Sequence, residues 1–192
     1  EQCDELLLKA LQSNDADIII GGMPVSTQDV TVTLALEQLL LIVPRAFNII
    51  PSWAYTGNSY ENPYEIDPKQ LQGLPLILPS TVNDIGGITN QVLEHFDIRP
   101  KFVTTVDSMQ TAAMLVAQDM GYLFTSPIFL KAQMAELAPN IVYCMARGIP
   151  DSRKIVAVYH SDTYKEEMIS QFLKLLRVVM FKDQPGMFPL DG

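Results

Sequence analysis

The chain has 192 residues, of which 48% are hydrophobic and 18% are charged, a composition that excludes a disordered protein and suits one domain or two small lobes. The net charge of −9 disfavours binding of this segment to nucleic acid or to an anionic membrane. The two cysteines, Cys3 and Cys144, lack the spacing of a zinc site and are interpreted as reduced thiols. No apolar run reaches the roughly 18 residues of a membrane span and no secretion signal is recognised, so a cytoplasmic location is expected.

The first elements alternate between helix and strand. Apolar periodicity predicts a helix over residues 5–14. The β-branched run at residues 16–20 predicts a buried strand, which the glycine turn at 21–24 ends. Strand is predicted again within residues 30–43. Residues 45–68 are rich in proline and aromatic side chains, which indicates an irregular connector.

The second half continues the alternation. Strands are predicted at residues 74–78, 102–106, 122–124, 141–145 and 155–159, with helices after the first three. Asp107 is predicted to cap the helix after the second of these strands, and Ser126 to cap a helix that starts at Pro127. Thr163 is predicted to cap a last amphipathic helix, and the tail from Asp183 is expected to fray.

This alternation predicts the α/β class with mainly parallel sheets. Ligands of such sheets collect at the carboxyl ends of the strands, where hydroxyls and backbone N–H groups suit a carboxylate. The rule selects as ligand-binding candidates Gly22, Met23, Pro24, Ser80, Thr81, Ser108, Thr125 and Ser126. Each has a simpler interpretation, because serine and threonine before a helix commonly serve as caps and glycine is the usual turn residue. Their convergence on one cleft is what favours binding.

Catalysis finds little support in the residue types. The two histidines, His95 and His160, cannot be combined with a serine and an acid into a triad. Gly86-Gly87 lacks the lysine and serine of a phosphate-binding loop. We therefore predict no catalytic residue, no metal site and no cofactor.

Five segments in order carry a family likeness. They are ADIIIGG at 16–22, LEQLLLIVPR at 36–45, LQGLPLILP at 71–79, RPKFVTTVDSMQTAAMLVAQDMGYLFTSP at 99–127 and KIVAVYHSD at 154–162. Together they resemble the effector-binding, or substrate-binding, domain of LysR-type transcriptional regulators. Two departures concern the ligand class: the aromatic-rich segment at 45–60, and Asp119 where that family commonly has a glycine.

The resemblance implies a two-lobed fold like that of type-II periplasmic binding proteins. Lobe I would hold residues 1–70, with a connector at 45–70, and the returning residues 149–192, while lobe II would hold 71–148. It implies a small, anionic effector in the interlobe cleft and a homodimer with the helix at 85–97 on one face of its contact. DNA binding would require a winged helix-turn-helix outside this sequence, and the family's opening strand and helix are expected to be missing.

Two other functions on the same fold stay open at this point. A solute-binding protein of a transporter would carry a secretion signal or a lipid-anchor cysteine. An enzyme such as a prephenate dehydratase-like protein would need a catalytic acid or threonine set in the cleft. Fold alone does not separate these functions.

Overall fold

A computed structural model of the protein describes residues 4–22, 29–80, 84–133, 138–149, 153–161, 165–181 and 187–189. Its α-helices are α1 (Asp4–Gln12), α2 (Asp84–His95), α3 (Met109–Val116), α4 (Pro127–Gln133) and α5 (Glu166–Leu176), which a π-helical turn (Arg177–Phe181) extends. Short 3-10 helices lie at Arg45–Phe47, Ser52–Tyr55, Pro68–Leu71 and Ala138–Asn140. In the described part of the chain, no helix is long and apolar enough to cross a membrane.

The strands alternate with these helices, as the sequence predicts. They are β1 (Ile19–Gly21), β2 (Val30–Glu37), β3 (Leu40–Pro44), β4 (Tyr64–Ile66), β5 (Leu76–Pro79), β6 (Val103–Val106), β7 (Leu123–Thr125), β8 (Ile141–Ala146), β9 (Arg153–Tyr159) and β10 (Met187–Pro189). The chain divides into two compact units. Unit 1 comprises Glu1–Gln38 and Ser152–Gly192, and unit 2 comprises Leu39–Asp151.

Unit 1 is built on a four-stranded sheet with the order β1-β9-β2-β10. All three pairings between its strands are antiparallel. The prediction of mainly parallel sheets is therefore wrong for the described strands of this unit. The predicted fraying of the tail is also wrong at Met187–Pro189, because these residues pair with Ala35–Glu37 of β2.

Polar contacts of two side chains, Arg177 and His160, tie the surrounding segments to this sheet. A bulge interrupts the β2–β9 register between Thr33 and Ala35, and Arg177 Nη2 donates to the Thr33 carbonyl oxygen at 3.0 Å.

After β9, His160 Nε2 lies 2.9 Å from the Leu11 carbonyl oxygen, and His160 Nδ1 lies 2.8 Å from Asp29 Oδ1. Because a carbonyl oxygen only accepts, Nε2 must carry the proton there. His160 thus joins the end of α1 to the start of β2, a structural role.

Unit 2 contains a sheet with the order β4-β8-β3-β7 and a parallel β5-β6 pair. In the larger sheet β3 is antiparallel to β7 and β8, and β4 is parallel to β8. A parallel bridge between Leu76 and Tyr122 links β5 to the start of β7, with backbone hydrogen bonds of 2.9 Å on both sides of Tyr122. The six strands therefore lie side by side in the order β4, β8, β3, β7, β5, β6.

The core of unit 2 lies on this array. All five residues of β3 are buried, and so are Tyr122, Leu123 and Phe124. Helix α3 contributes Met109, Ala112, Ala113 and Val116 to the same cluster, and α2 contributes Ile85 and Val92. The apolar spacing that predicts these two helices thus also identifies the faces they bury.

The aromatic-rich segment after β3 belongs to unit 2. Ile50, Ala54 and Ile66 are buried in the core of that unit, and β4 pairs with β8. The structure therefore divides the chain after Gln38, whereas the predicted boundary follows residue 70. The physical reason is that this segment has apolar side chains to bury and a free strand edge of β8 to pair with.

Asn58 completes that strand edge before β4 begins. Its side-chain amide donates to the Tyr143 carbonyl oxygen at 2.8 Å and accepts from the Tyr143 N–H at 2.9 Å. One side chain therefore makes both hydrogen bonds that a neighbouring strand residue would make. Tyr60 packs edge-on against the Tyr143 ring at 6.4 Å between centroids.

Asn58→Ala is expected to lower the free energy of unfolding by about 2 kcal/mol, since it removes two hydrogen bonds and leaves partly buried backbone groups of Tyr143 unsatisfied. The matched control is Asn62→Ala, which removes an exposed local hydrogen bond to Gly57 and should cost about 0.5 kcal/mol or less. Urea denaturation of both variants measures the difference. Equal effects would show that Asn58 contributes no more than a loop residue.

Candidate functional site

The carboxyl ends of three strands of unit 2 meet at one edge. β5 is parallel to β6 throughout, and the Leu76–Tyr122 bridge is also parallel, so β5, β6 and β7 run in the same direction. The Ser80 N–H donates to the Val106 carbonyl oxygen at 2.7 Å, which holds the ends of β5 and β6 together. With strands about 4.8 Å apart, the three ends span about 10 Å.

The remaining strands of unit 2 define the same edge, which we call the carboxyl edge. The first residue of β3, Leu40, pairs with the last residue of β7, Thr125. β8 is antiparallel to β3 and β4 is parallel to β8, so Ala146 and Ile66 also end there. The chain therefore both enters unit 2 and leaves its last strand at the carboxyl edge.

Thr125 is the candidate with the most unusual environment. It is fully buried, and its Oγ1 has no hydrogen-bond partner among the described residues. An unsatisfied buried hydroxyl costs about 1–3 kcal/mol, which makes this position, at the end of a strand, a candidate for contact with a ligand. The neighbouring Ser126 is 7% exposed, and its Oγ accepts from the Ile128 N–H at 3.2 Å. The predicted cap at Ser126 is confirmed, and Thr125 remains the group with bonding capacity to offer.

The residues after β5 and β6 have plainer roles. Ser108, not Asp107, caps α3, because its Oγ accepts from the Thr111 N–H at 3.3 Å while Asp107 is exposed. The prediction of Asp107 as the cap is wrong, since Ser108 has the extended backbone that a cap needs. Ser80 is partly buried at the end of β5. The carboxyl edge thus brings together Ser80, Ser108, Thr125 and Ser126.

The other predicted site residues are placed differently. Gly22 follows β1 in unit 1, whose described strands are antiparallel, so the rule for parallel sheets does not apply to it. Met23, Pro24 and Thr81 lie outside the described residues, as does Thr163, the predicted cap of the last helix. Helix α5 starts at Glu166, with Lys165 at the cap position.

Arg147 is a residue of the carboxyl edge that the sequence does not single out. It follows β8, and its N–H donates to the Ile66 carbonyl oxygen at 2.9 Å. Its guanidinium donates to Glu65, and this hydrogen bond raises the pKa of Arg147, so the group stays cationic. It lies two strands from β7, about 10 Å away. The signal that could have found it is a basic residue two positions after the strand predicted at 141–145.

Titratable groups elsewhere give no reactive centre in the described ranges. No cluster of three or more histidine, cysteine or acidic side chains occurs there that could hold a metal ion. Cys144 is fully buried in β8, and burial raises the pKa of its thiol to about 12. Tyr122 is also fully buried, and burial raises the pKa of its hydroxyl. Both groups are therefore held in their neutral, unreactive forms.

In a Cys3→Ser background, Cys144 is expected to react with a thiol reagent at least about 100-fold more slowly in the folded protein than after denaturation at about pH 8, because the thiolate is the reacting form. A time course with and without denaturant measures the ratio. Raising the pH from about 8 to about 10 should speed the folded-state reaction by about tenfold per pH unit, because the thiolate fraction grows by that factor below the raised pKa, whereas the reaction after denaturation should level off above the ordinary thiol pKa of about 8.5. Rapid labelling of the folded protein would contradict the burial of this thiol.

Comparison with known proteins decides the family. The family model of the LysR substrate binding domain matches residues 2–180. The chain belongs to the LysR substrate-binding domain family. The expected resemblance is thereby confirmed, as is an α/β fold like that of periplasmic binding proteins. No curated protein matches the chain.

Solved structures of LysR-family regulatory proteins share this fold. Reduced OxyR from N. meningitidis has a TM-score of 0.72 and 18% identity, with 98% of this chain and 81% of that one covered. The Synechocystis PCC6803 CcmR regulatory domain in complex with 2-PG has a TM-score of 0.67 and 16% identity, with 93% and 80% covered. An OxyR cysteine mutant from Corynebacterium glutamicum has a TM-score of 0.69 and 17% identity. The match covers 93% of this chain but only 52% of that OxyR chain, so this LysR domain spans about half of it.

These relatives are transcription regulators and their domains, not enzymes. Their identities are all below 25%, so the likeness is one of fold. The LysR family supplies the functional class of the domain, and the ligand must be argued from the residues at the carboxyl edge.

Proposed function

We propose that this chain is the effector-sensing domain of a cytoplasmic bacterial LysR-type regulator, and that it binds a small anionic metabolite at the carboxyl edge of unit 2. The observation that carries the proposal is the buried Thr125 hydroxyl, which has no partner within the described ranges. The family resemblance implies an effector in the cleft between the lobes, and the proposal includes that location.

Thr125 supports a ligand through a hydroxyl donor that no described residue accepts from. A hydroxyl can donate one hydrogen bond and accept two, and burial without either is unfavourable. A carboxylate oxygen that reaches Thr125 would accept its proton and remove that cost. A charge-assisted hydrogen bond of this kind is about twice as strong as a neutral one. The site thus gains free energy only when an acceptor arrives.

The neighbouring groups favour an anion in particular. Ser80 directly follows the adjacent strand β5, and the cationic Arg147 lies on the same edge. The Synechocystis CcmR domain, which shares the fold, was solved with 2-PG bound. Glu65 and Asp107 also lie near this edge, so the ligand must be small enough to contact the hydroxyls without approaching these carboxylates.

A screen of small carboxylates and aromatic acids by thermal shift tests the proposal. At least one acid should raise the melting temperature of the parent chain, since a ligand that binds only the folded state stabilises it. Ser80→Ala and Thr125→Ala should stay folded and lose that stabilisation.

Ser59→Ala is the matched control for this screen. Ser59 lies in unit 2 and its Oγ accepts from the Asn62 N–H, so its loss should leave the response to the acid unchanged. If Ser80→Ala and Thr125→Ala respond to the acid as the parent does, the site does not lie at the carboxyl edge.

The proposal includes partners. Two copies of the domain would pair, with α2 on one face of the contact, and DNA would be bound by a winged helix-turn-helix outside this chain. Effector binding would then act by changing the angle between the lobes. Sedimentation of the full-length regulator with and without the acid tests the first part, since a monomer in both states would contradict it.

A further inference from the structure

The chain passes between unit 1 and unit 2 twice, and we call the two connecting segments the hinge. We propose that the ion pair between Glu37 and Arg153 is a clamp that holds these two segments together where they leave unit 1. Glu37 is the last residue of β2 and Arg153 is the first residue of β9. The two stand directly opposite each other in the antiparallel ladder. Arg153 Nη1 donates to Glu37 Oε2 at 2.9 Å, so the side chains reinforce the rung that their backbones form.

This rung lies where the chain passes between the units. The first passage follows Gln38, and the second precedes Ser152. Glu37 and Arg153 are therefore each one residue inside unit 1, on the two segments that connect it to unit 2. A change in the angle between lobes needs backbone torsions to rotate in these segments. The clamp joins the two segments at the position from which such a rotation would start.

The environment of the pair makes it costly to open. The Glu37 side chain is fully buried, and the Arg153 side chain is 16% exposed. On its other side, Glu37 pairs with Met187 of β10, so its backbone is held from both neighbouring strands. A buried carboxylate that loses its cation is strongly destabilised. The last rung of a ladder, which would otherwise be the first to fray, is therefore kept closed.

A closed rung shortens the hinge. Only Gln38 and Leu39 separate β2 from β3, and Leu39 is buried. With Glu37 fixed, rotation in the first passage is confined to about these two residues. We infer that the clamp restricts backbone rotation where the two connecting segments leave unit 1. The role of the clamp in sensing rests on the proposed function, whereas the closure of this rung in the chain without ligand does not.

Hydrogen exchange of the chain without any added acid tests the clamp. Glu37→Gln should speed exchange about tenfold or more in peptides that contain residues 37–40 and 153–155, while the middle of the β2–β9 ladder, at Val32 and Ala157, stays protected. Arg153→Lys keeps the charge without the planar fork and should give a smaller increase at the same peptides. This second variant decides the outcome if Glu37→Gln does not fold.

Asp17→Asn is the matched control in the same unit. It breaks the ion pair in which Lys165 Nζ lies 2.6 Å from Asp17 Oδ2, away from both passages. Exchange at 37–40 and 153–155 should then be unchanged. Unchanged exchange there in Arg153→Lys and Glu37→Gln, or a uniform rise throughout unit 1, would overturn the clamp. Because no acid is present, this result is independent of the thermal-shift test of the proposed site.

Discussion

Gly121→Ala is expected to lower the free energy of unfolding by about 3 kcal/mol, because a methyl group at this position has no space. A Cβ at Gly121 would lie 2.8 Å from the Pro75 carbonyl oxygen and 3.2 Å from Ile77 Cγ1. The same Pro75 oxygen accepts the Tyr122 N–H at 2.9 Å. The substitution would therefore push β5 away from β7 at the bridge that aligns their carboxyl ends.

Gly87→Ala, in the same unit, is expected to raise stability where Gly121→Ala lowers it. Gly87 lies inside α2, and a Cβ there would meet no atom within 4 Å. Alanine should therefore stabilise the helix by about 0.5–1 kcal/mol. Urea denaturation of the two variants and the parent measures the loss of stability in Gly121→Ala and the gain in Gly87→Ala. A small effect of Gly121→Ala would contradict the close approach of β5 and β7, and with it the shared carboxyl edge.

Thr125→Val is expected to raise the stability of the ligand-free protein by about 1 kcal/mol and to abolish its response to an acid. Valine has nearly the shape of threonine, but it buries no hydroxyl that needs a partner. Thr89→Val is the matched control, since Thr89 is also buried but its Oγ1 donates to the Ile85 carbonyl oxygen at 2.7 Å. Its loss should instead lower stability by about 1 kcal/mol.

The predicted changes in stability have opposite signs, a gain for Thr125→Val and a loss for Thr89→Val. This difference distinguishes a hydroxyl that binds a ligand from one that stabilises the fold. Chemical denaturation gives the two free energies, and thermal shift with the acid gives the response. If Thr125→Val destabilises the ligand-free protein as Thr89→Val does, the Thr125 hydroxyl is satisfied within the protein. It would then have no capacity reserved for an effector.

Much of the fold can be predicted from the sequence, because helices and buried strands leave distinct periodicities. The helix faces of α2 and α3 and the strands β5 to β9 follow from apolar spacing and from turn residues. Strand direction cannot be predicted in the same way. A strand buried on both faces, such as β3, shows the same apolar run whether its neighbours are parallel or antiparallel.

The segment after β3 shows a second limit. Its prolines and aromatic side chains predict an irregular connector, but its place in unit 2 depends on contacts distant in sequence. Asn58 reaches Tyr143, 85 residues away, and β4 is only three residues long. The same holds for β10, a short strand in a tail rich in proline and glycine. These short strands form because an unpaired strand edge lies beside them in the fold. The local sequence pattern carries no information about that edge.

The candidate site can likewise be predicted in part from local sequence, while the rest depends on contacts distant in sequence. The rule that ligands lie at the carboxyl ends of strands selects Ser80 and Thr125 from sequence, because it needs only the end of each strand. The environment of a hydroxyl depends on packing, so the sequence cannot separate the cap at Ser126 from the Thr125 hydroxyl, which has no partner in the described part of the chain. The cation Arg147 is missed because only the strand order brings β8 to the same edge.

A crystal structure of the domain with the carboxylate that gives the largest thermal shift tests the central claim most directly. We expect a carboxylate oxygen at 2.6–3.0 Å, a normal hydrogen-bond distance, from Thr125 Oγ1, with Ser80 on the same ligand. Binding at another place, with the Thr125 hydroxyl as it is in the ligand-free protein, would contradict the account.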